Sequence, residues 1–309
     1  MAKKRNEITP GGVIVIDKHE GVTSFRIISI LRRMYDTSKV GHTGTLDPMA
    51  TGVLPVLLGR AVKACDYIMS QDKRYTAEMK LGIETDTEDV TGEILRTSDD
   101  IPSEEAVLSA IASFVGEIDQ IPPMYSAIKV GGQKLVDIAR EGGEVERQPR
   151  RVTIHSIDAE KVSSDTYRLD VSCSKGTYIR TLCADIGKKL GCGAAMSSLR
   201  RTETGVFSLE DAYTIEQLEE MTIEERLALL HPVEELFTEY PVLSLPQFFA
   251  NLFLDGAPLY QKKIRASIGE GEIVRVKYGN EFLGLGVGAL LSDGTPVIKA
   301  EKLFKLGKV

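Results

Sequence analysis

Between Lys39 and Gly52 the chain reads Lys39-Val40-Gly41-His42-Thr43-Gly44-Thr45-Leu46-Asp47-Pro48-Met49-Ala50-Thr51-Gly52. Such a stretch is neither helix nor the interior of a central strand. Gly41, Gly44 and Gly52 allow positive φ, and Pro48 fixes φ directly after the acid. Apolar segments flank it, so the fold must bring buried elements to both ends of one short polar loop. That loop holds a carboxylate, Asp47, and an imidazole, His42. An Asp before Pro reads most simply as a cap for the next element. A carboxylate and an imidazole between buried segments also sit where chemistry collects.

The segments around the loop alternate in type. Val13 to Asp17 predicts a buried strand, and Thr23 or Ser24 caps a helix to Met34 with Ile27, Ile28, Leu31 and Met34 on one face. Val53 to Leu58 continues as an apolar run, with a helix predicted from Arg60 to Met69. From Arg74 to Gly82 the chain alternates, so Tyr75, Ala77, Met79 and Leu81 point inward. Ser103 caps a helix read as ending at Gly116. Val152 to Val162 and Tyr167 to Cys173 predict a hairpin, and Ser197 to Thr202 a further strand. Between these, Thr177 reads as the N-cap of a helix whose stripe is Ile179, Leu182, Cys183, Ile186 and Leu190. Lys175 and Arg180 flank that helix start and make it an anion site, for a substrate phosphate or a protein carboxylate.

A chain of 309 residues suggests two domains. Tyr240-Pro241 and Leu245-Pro246 mark the boundary, so residues 1–240 form the main domain and 241–309 a small β-rich one. Strands and helices mingle without strict βαβ order, which predicts an α+β fold. No apolar run is long enough to span a membrane, and Met1 to Glu7 is basic without an apolar signal core behind it; a cytoplasmic protein is expected.

The net charge of −7 argues against a nucleic-acid partner until its distribution is considered. Ser208 to Tyr240 carries ten acids against one Arg, a local −9, leaving +2 for the rest of the chain. Val171 to Arg201 carries six Lys or Arg against one Asp, a local +5. From Met124 to Val152 six basic residues lie on a glycine-jointed segment, an arm suited to ordering against a polyanion.

Absences narrow the reaction. No phosphate-binding glycine loop, no His-x-x-x-His pair and no Gly-x-Ser-x-Gly elbow occur. Cys65, Cys173, Cys183 and Cys192 form no Cys-x-x-Cys pair and read as buried thiols. Glu84 to Asp89 lacks the glycine and distal Glu of a calcium loop. No nucleotide cofactor and no catalytic zinc is expected. What remains is one acid, Asp47, that serves as nucleophile or base and stays ionised best beside a cation.

Gly41-His42-Thr43-Gly44-Thr45-Leu46-Asp47-Pro48-Met49-Ala50-Thr51-Gly52-Val53-Leu54-Pro55 resembles the signature of the bacterial TruB-type tRNA pseudouridine synthases. Asp72-Lys73-Arg74-Tyr75, Thr85-Asp86-Thr87, Pro122-Pro123-Met124-Tyr125-Ser126-Ala127, Lys175-Gly176-Thr177-Tyr178-Ile179-Arg180 and Leu199-Arg200-Arg201 match in the same order. The resemblance implies the pseudouridine synthase fold, a mixed, largely antiparallel sheet with flanking helices, and a PUA-like RNA-binding domain at the C-terminus. It implies conversion of uridine 55 in the tRNA T-loop to pseudouridine, without metal or cofactor, by a single chain needing no obligate protein partner. Asp47 matches the catalytic aspartate, Arg180 its ion-pair partner and Tyr75 the residue stacked on the uracil. Tyr178 and Leu199 match other walls of the base pocket, and His42 the residue that fills the disrupted T-loop. Two positions depart from the pattern: His19-Glu20 replaces a usual Pro after Lys18, and Val136 stands where the arm often has Tyr. The competing readings are a tRNA-binding or folding chaperone without essential catalysis, and a sibling synthase acting on another RNA.

Overall fold

The computed structural model describes residues 11–305 and 307–309; the basic opening Met1 to Glu7 lies outside them. In chain order the elements around the polar loop are β1 (Gly12–Lys18), α1 (Ser24–Met34), β2 (Val40–His42), β3 (Thr51–Leu58), α2 (Cys65–Met69) and β4 (Lys73–Leu81). Then come the hairpin β5 (Ile83–Thr85) and β6 (Ile94–Thr97), α3 (Glu104–Ala112) and β7 (Gly116–Gln120). The arm holds β8 (Lys129–Val130), β9 (Gln133–Lys134) and α4 (Leu135–Arg140), and β10 (Arg150–Lys161), β11 (Thr166–Cys173), α5 (Ile179–Leu190) and β12 (Ala194–Thr204) complete the domain's frame.

One sheet organises these elements. From edge to edge it runs Ala212–Tyr213, β1, β3, β12, β4, β11, β10 and β7, with β2 added on β3. Every pairing is antiparallel except β1 with Ala212–Tyr213 and β12 with β3. Both faces of its β1–β3 part are covered, and the pleat separates the side chains accordingly. Ile14, Ile16, Leu54, Val56 and Leu58 join the core under α1 and α5. Val13, Val15, Val53 and Leu57 join a second core with Phe237, Leu285 and Phe304.

A second, five-stranded sheet begins at Val242–Ser244 and contains Ile273–Tyr278, Glu281–Leu290, Pro296–Leu303 and Leu259–Tyr260. A helix at Gln247–Leu254, not anticipated from the sequence, packs Ala250 and Phe253 on it. No described helix is long and apolar enough to cross a membrane.

Three local expectations need correction. The helix read from Arg60 to Met69 is a tight 3₁₀ segment, Gly59–Ala64, followed by α2. Arg60 and Lys63 both donate to the Leu303 carbonyl, and these tethers accompany the tighter winding. The Ser103-capped helix closes at Ala112 rather than Gly116; Ser113 hydrogen-bonds back to Ala110, and Gly116 opens β7 at φ 111°. Thr177 does not cap α5. Its hydroxyl donates to the Ser174 carbonyl, and Tyr178 takes the N-cap position without a side-chain cap bond.

Candidate active site

The polar loop leaves β2 and enters β3 with its ends fixed by buried groups. Gly44 and Gly52 take φ of 103° and 98°. A Cβ on Gly52 would lie 2.1 Å from the Arg201 carbonyl oxygen, so only glycine passes there. Arg201, fully buried on β12, donates through Nε to Val53 O at 2.7 Å and through Nη2 to Gly44 O at 3.2 Å. The Ser24 hydroxyl, at the start of α1, donates to Leu46 O at 3.1 Å and accepts from the Leu46 N–H at 3.0 Å. Lys18 Nζ and the Gly21 N–H both reach the Pro48 carbonyl. Clamps before and after Asp47 therefore hold its backbone on three sides.

The Asp47 carboxylate caps no backbone N–H among the described residues. It turns instead to Arg180 Nη2, 3.3 Å from Oδ2. This answers the anion question at the start of α5: the group beside Arg180 is a protein carboxylate. The Arg180 side chain is 6% exposed and that of Asp47 36%, so the acid keeps an edge open to solvent while its partner is enclosed. Arg180 also donates to Tyr125 O at 2.6 Å and faces Asp89 Oδ2 at 3.7 Å. Asp89 is held by the Thr91 N–H at 3.0 Å and the Thr87 hydroxyl at 2.9 Å. Its neighbour Glu88 sits at φ 63° and accepts from Thr181 in the first turn of α5. The β5–β6 hairpin thus applies two acids to the helix terminus that carries Arg180.

Burial raises the pKa of Asp47, and Asp89 adds to the shift, while Arg180 and Lys18 oppose it. Lys18, with no exposed surface, falls to about 8, chiefly through burial. Burial and then Arg201 lower the pKa of His42, which favours the neutral ring, and its buried Nδ1 has no hydrogen-bond partner among the described residues.

Of the aromatic candidates, Tyr75 and Tyr178 lie close enough to Asp47 for its charge to act on their hydroxyls. Tyr75 on β4 lies opposite Arg201 on β12 and Val171 on β11, and Leu199 lies opposite Ala77, so Tyr75 and Leu199 share one sheet face. Burial raises the Tyr75 pKa, with Arg201 opposing. Tyr178 is positioned by Gln120, whose side chain accepts from the Tyr178 N–H at 2.8 Å and donates to its carbonyl at 3.0 Å. His42 stands on β2 opposite Val56.

Sequence reading missed Lys18, Ser24, Asp89, Gln120 and Arg201 as parts of this site. Asp89 lay within the acidic run weighed only as a calcium loop, and Gln120 shortly before Pro122-Pro123; neither pattern points to Arg180 or Tyr178. Among the described residues no three His, Cys, Asp or Glu side chains are grouped as metal ligands. Cys173, Cys183 and Cys192 are buried free thiols, and Cys65 is half-buried.

Comparison with known proteins matches the same residues to one family. Residues 32–179 match TruB family pseudouridylate synthase (N terminal domain), and 180–238 match tRNA pseudouridylate synthase B C-terminal domain. The tRNA pseudouridine synthase B of Clostridium tetani is 45% identical over 276 residues, covering 89% of this chain and 94% of that protein. The chain belongs to the TruB family. The protein of the same name from Aromatoleum aromaticum is 44% identical, covering 94% of this chain and 92% of its own length. Among solved structures, a Cbf5-Nop10-Gar1 complex contains a chain that superposes at a TM-score of 0.71, with 26% identity, 98% of this chain and 92% of that one. An H/ACA RNP bound to a substrate RNA containing 2′-deoxyuridine matches at a TM-score of 0.69, with 23% identity and 98% and 93% coverage, which speaks to the fold. The pseudouridine synthase fold therefore describes the main sheet with its helices, and the superposition continues over the C-terminal β-rich part.

Proposed function

We propose that this protein isomerises uridine 55 of the tRNA T-loop to pseudouridine, with Asp47 as nucleophile. The observation that carries the reading is a single half-open carboxylate, ion-paired to a buried arginine and close enough to Tyr75 and Tyr178 for its charge to act on both hydroxyls. Such a site needs no second acid. Arg180 and Lys18 oppose the rise that burial imposes on the Asp47 pKa, and the three-sided clamp fixes its direction of attack. The target base leaves the folded loop to reach the carboxylate, and stacking on Tyr75 offsets part of the unstacking cost. Attack by Asp47 on the nucleoside, at C1′ or at C6, forms a bond to its carboxylate and permits the N1–C1′ bond to break. The uracil turns and bonds to C1′ through C5, the bond to Asp47 breaks and returns the free carboxylate, the C5 proton is lost and N1 gains one, so atoms and charge balance. We assign assistance in that proton transfer to the Tyr75 hydroxyl.

Tyr178 and Leu199 complete the pocket, and neutral His42 contacts the opened T-loop. The arm from Met124 to Val152 closes over the RNA, a role supported by its exposed β8–β9 hairpin. We read the C-terminal sheet as a PUA-like RNA-binding domain; Pro241 to Val309 holds nine Lys or Arg against six Asp or Glu, a local +3. The scheme uses one chain of 33.9 kDa and no cofactor.

The test is tritium release from C5-labelled uridine in a T-arm stem-loop transcript. The wild type releases it from the T-arm and not from other tRNA arms. Asp47→Asn binds the transcript but loses turnover by several orders of magnitude. Retained turnover in that variant removes Asp47 as nucleophile, and no release from the T-arm refutes the substrate.

A further inference from the structure

A cavity opens where the end of the arm meets the turn before α5. Its volume is about 460 Å³, and Arg150, Arg151 and Lys175 line it together with Met69, Ser70 and the acid Asp66. It neighbours the base pocket through two connections. Lys175 precedes Tyr178 by three residues, a span of at most about 10 Å. Arg150 is the cross-strand partner of Gln120, the residue that grips Tyr178.

The charges in this cavity are not equivalent. Arg151 is committed to Asp119 at 3.3 Å and to Glu117 at 3.8 Å. Arg150 and Lys175 make no ion pair among the described residues. Gly176, at φ 82°, makes the turn after Lys175, and a side chain there would meet only open space. Buried Lys73 donates to the Met69 and Gln71 carbonyls and fixes the end of α2. Ser70 donates its proton to Tyr67 O at 2.6 Å, which leaves the Ser70 oxygen as an acceptor facing outward. Met69, 47% exposed, supplies apolar surface beside it. Two uncommitted cations, an apolar wall and a fixed acceptor match a phosphate, a sugar face and a 2′-hydroxyl donor.

We propose that this cavity is a second nucleotide seat: it binds a ribose-phosphate of the substrate RNA adjacent to the isomerised uridine, the phosphate between Arg150 and Lys175 and the 2′-hydroxyl on Ser70. The proposal rests on the function given above. Arg150 and Lys175 raise the affinity for the strand and set its register, while the reacting base is handled by Asp47 and Tyr75.

The experiment measures steady-state isomerisation of T-arm stem-loops in which single linkages are neutralised as methylphosphonates or single riboses are 2′-deoxy. Arg150→Ala and Lys175→Ala each raise KM about tenfold, as expected for one charge-assisted contact, with a much smaller effect on kcat. One neutral linkage beside the target raises the wild-type KM similarly and adds nothing further in Lys175→Ala; linkages elsewhere add in full. One 2′-deoxy position likewise reproduces Ser70→Ala. Lys188→Ala, on the exposed end of α5, changes none of these values. If the Arg150 and Lys175 variants match the wild type, or if every neutral linkage penalises them as it does the wild type, the seat is refuted. A wild type inactive on the unmodified stem-loop would instead refute the function itself.

Discussion

Asp47 has to be ionised to attack a nucleoside, yet burial and then Asp89 push its pKa up while Arg180 and Lys18 pull it down. The acid limb of the rate profile therefore lies above the ordinary carboxylate range. Arg180→Met removes the main opposing charge and moves that limb to still higher pH, with a loss of about 10²-fold or more at pH 7 through misplacement of the acid. Asp89→Asn moves the limb to lower pH, because a neighbouring negative charge is gone. A limb that stays fixed in both variants rules out Asp47 as the titrating group. The same shift has a consequence for stability. A carboxyl whose folded pKa exceeds its unfolded value gives up stability as pH rises through that window, so ionised Asp47 burdens the fold at neutral pH. Asp47→Asn accordingly melts no lower than the wild type at pH 7, and any advantage closes below the unfolded pKa. By residue type Asp47 read most simply as a cap; it was legible in the sequence through the resemblance carried by Gly41 to Pro55. Lys18 was not, since Asp17-Lys18-His19-Glu20-Gly21 reads as a solvated turn and only tertiary packing buries the ammonium against Pro48.

The first turn of α5 carries Arg180 without a side-chain cap of its own. Gln120 from the end of β7 supplies the missing partner for the Tyr178 N–H, and Glu88 from the β5–β6 hairpin bonds Thr181. An N-terminus stabilised from two other elements is a positioned terminus, and its placement sets the Asp47–Arg180 distance. Gln120→Ala leaves the Tyr178 N–H without its partner, while the carbonyl keeps the Leu182 N–H, and the unmet donor costs about 1–3 kcal/mol. Its effect on turnover exceeds its effect on tRNA binding, since the helix start moves while the RNA-facing cations remain. Thermal denaturation and the KM-against-kcat split check the two parts, and an unchanged kcat in a destabilised variant would sink the positioning role. The helix itself was readable from its apolar stripe and Gly191. Its cap was misread because Thr177 is a good capping residue by type, and nothing local reveals that Gln120, 58 residues earlier in the chain, occupies the site. Periodic strands such as β4 and β11 were readable for the opposite reason: their alternation is set by one sheet with a buried face, which propensity and packing both favour.

At the scale of the molecule, the pleat of β1 and β3 divides two cores that serve different purposes. Ile14, Ile16, Leu54 and Val56 support the face that also holds Tyr75, while Val13, Val15, Val53 and Leu57 receive the C-terminal sheet through Phe237, Leu285 and Phe304. Phe237, Phe282 and Phe304 pack ring against ring at centroid distances of 5.6 to 6.2 Å, and Glu234 bridges to Arg275 and Lys277 across the same seam. The glycine-spaced strands beyond Pro241 were visible in the sequence. Their seat on the back of the main sheet was not, because continuous apolar runs such as Val13 to Ile16 do not say which neighbour covers each face. A shared core predicts that the two sheets melt together. Phe304→Ala opens a cavity in that core and costs about 3–5 kcal/mol, yet unfolding remains one transition followed alike by far-ultraviolet and near-ultraviolet dichroism. Turnover of a T-arm stem-loop, measured well below the lowered Tm, keeps its kcat because the clamps on Asp47 come from the opposite side of β3 and from β12. Two separated transitions would show that the seam is a contact between independent domains. A kcat that falls in step with stability would show that the back of the sheet helps to hold the catalytic loop.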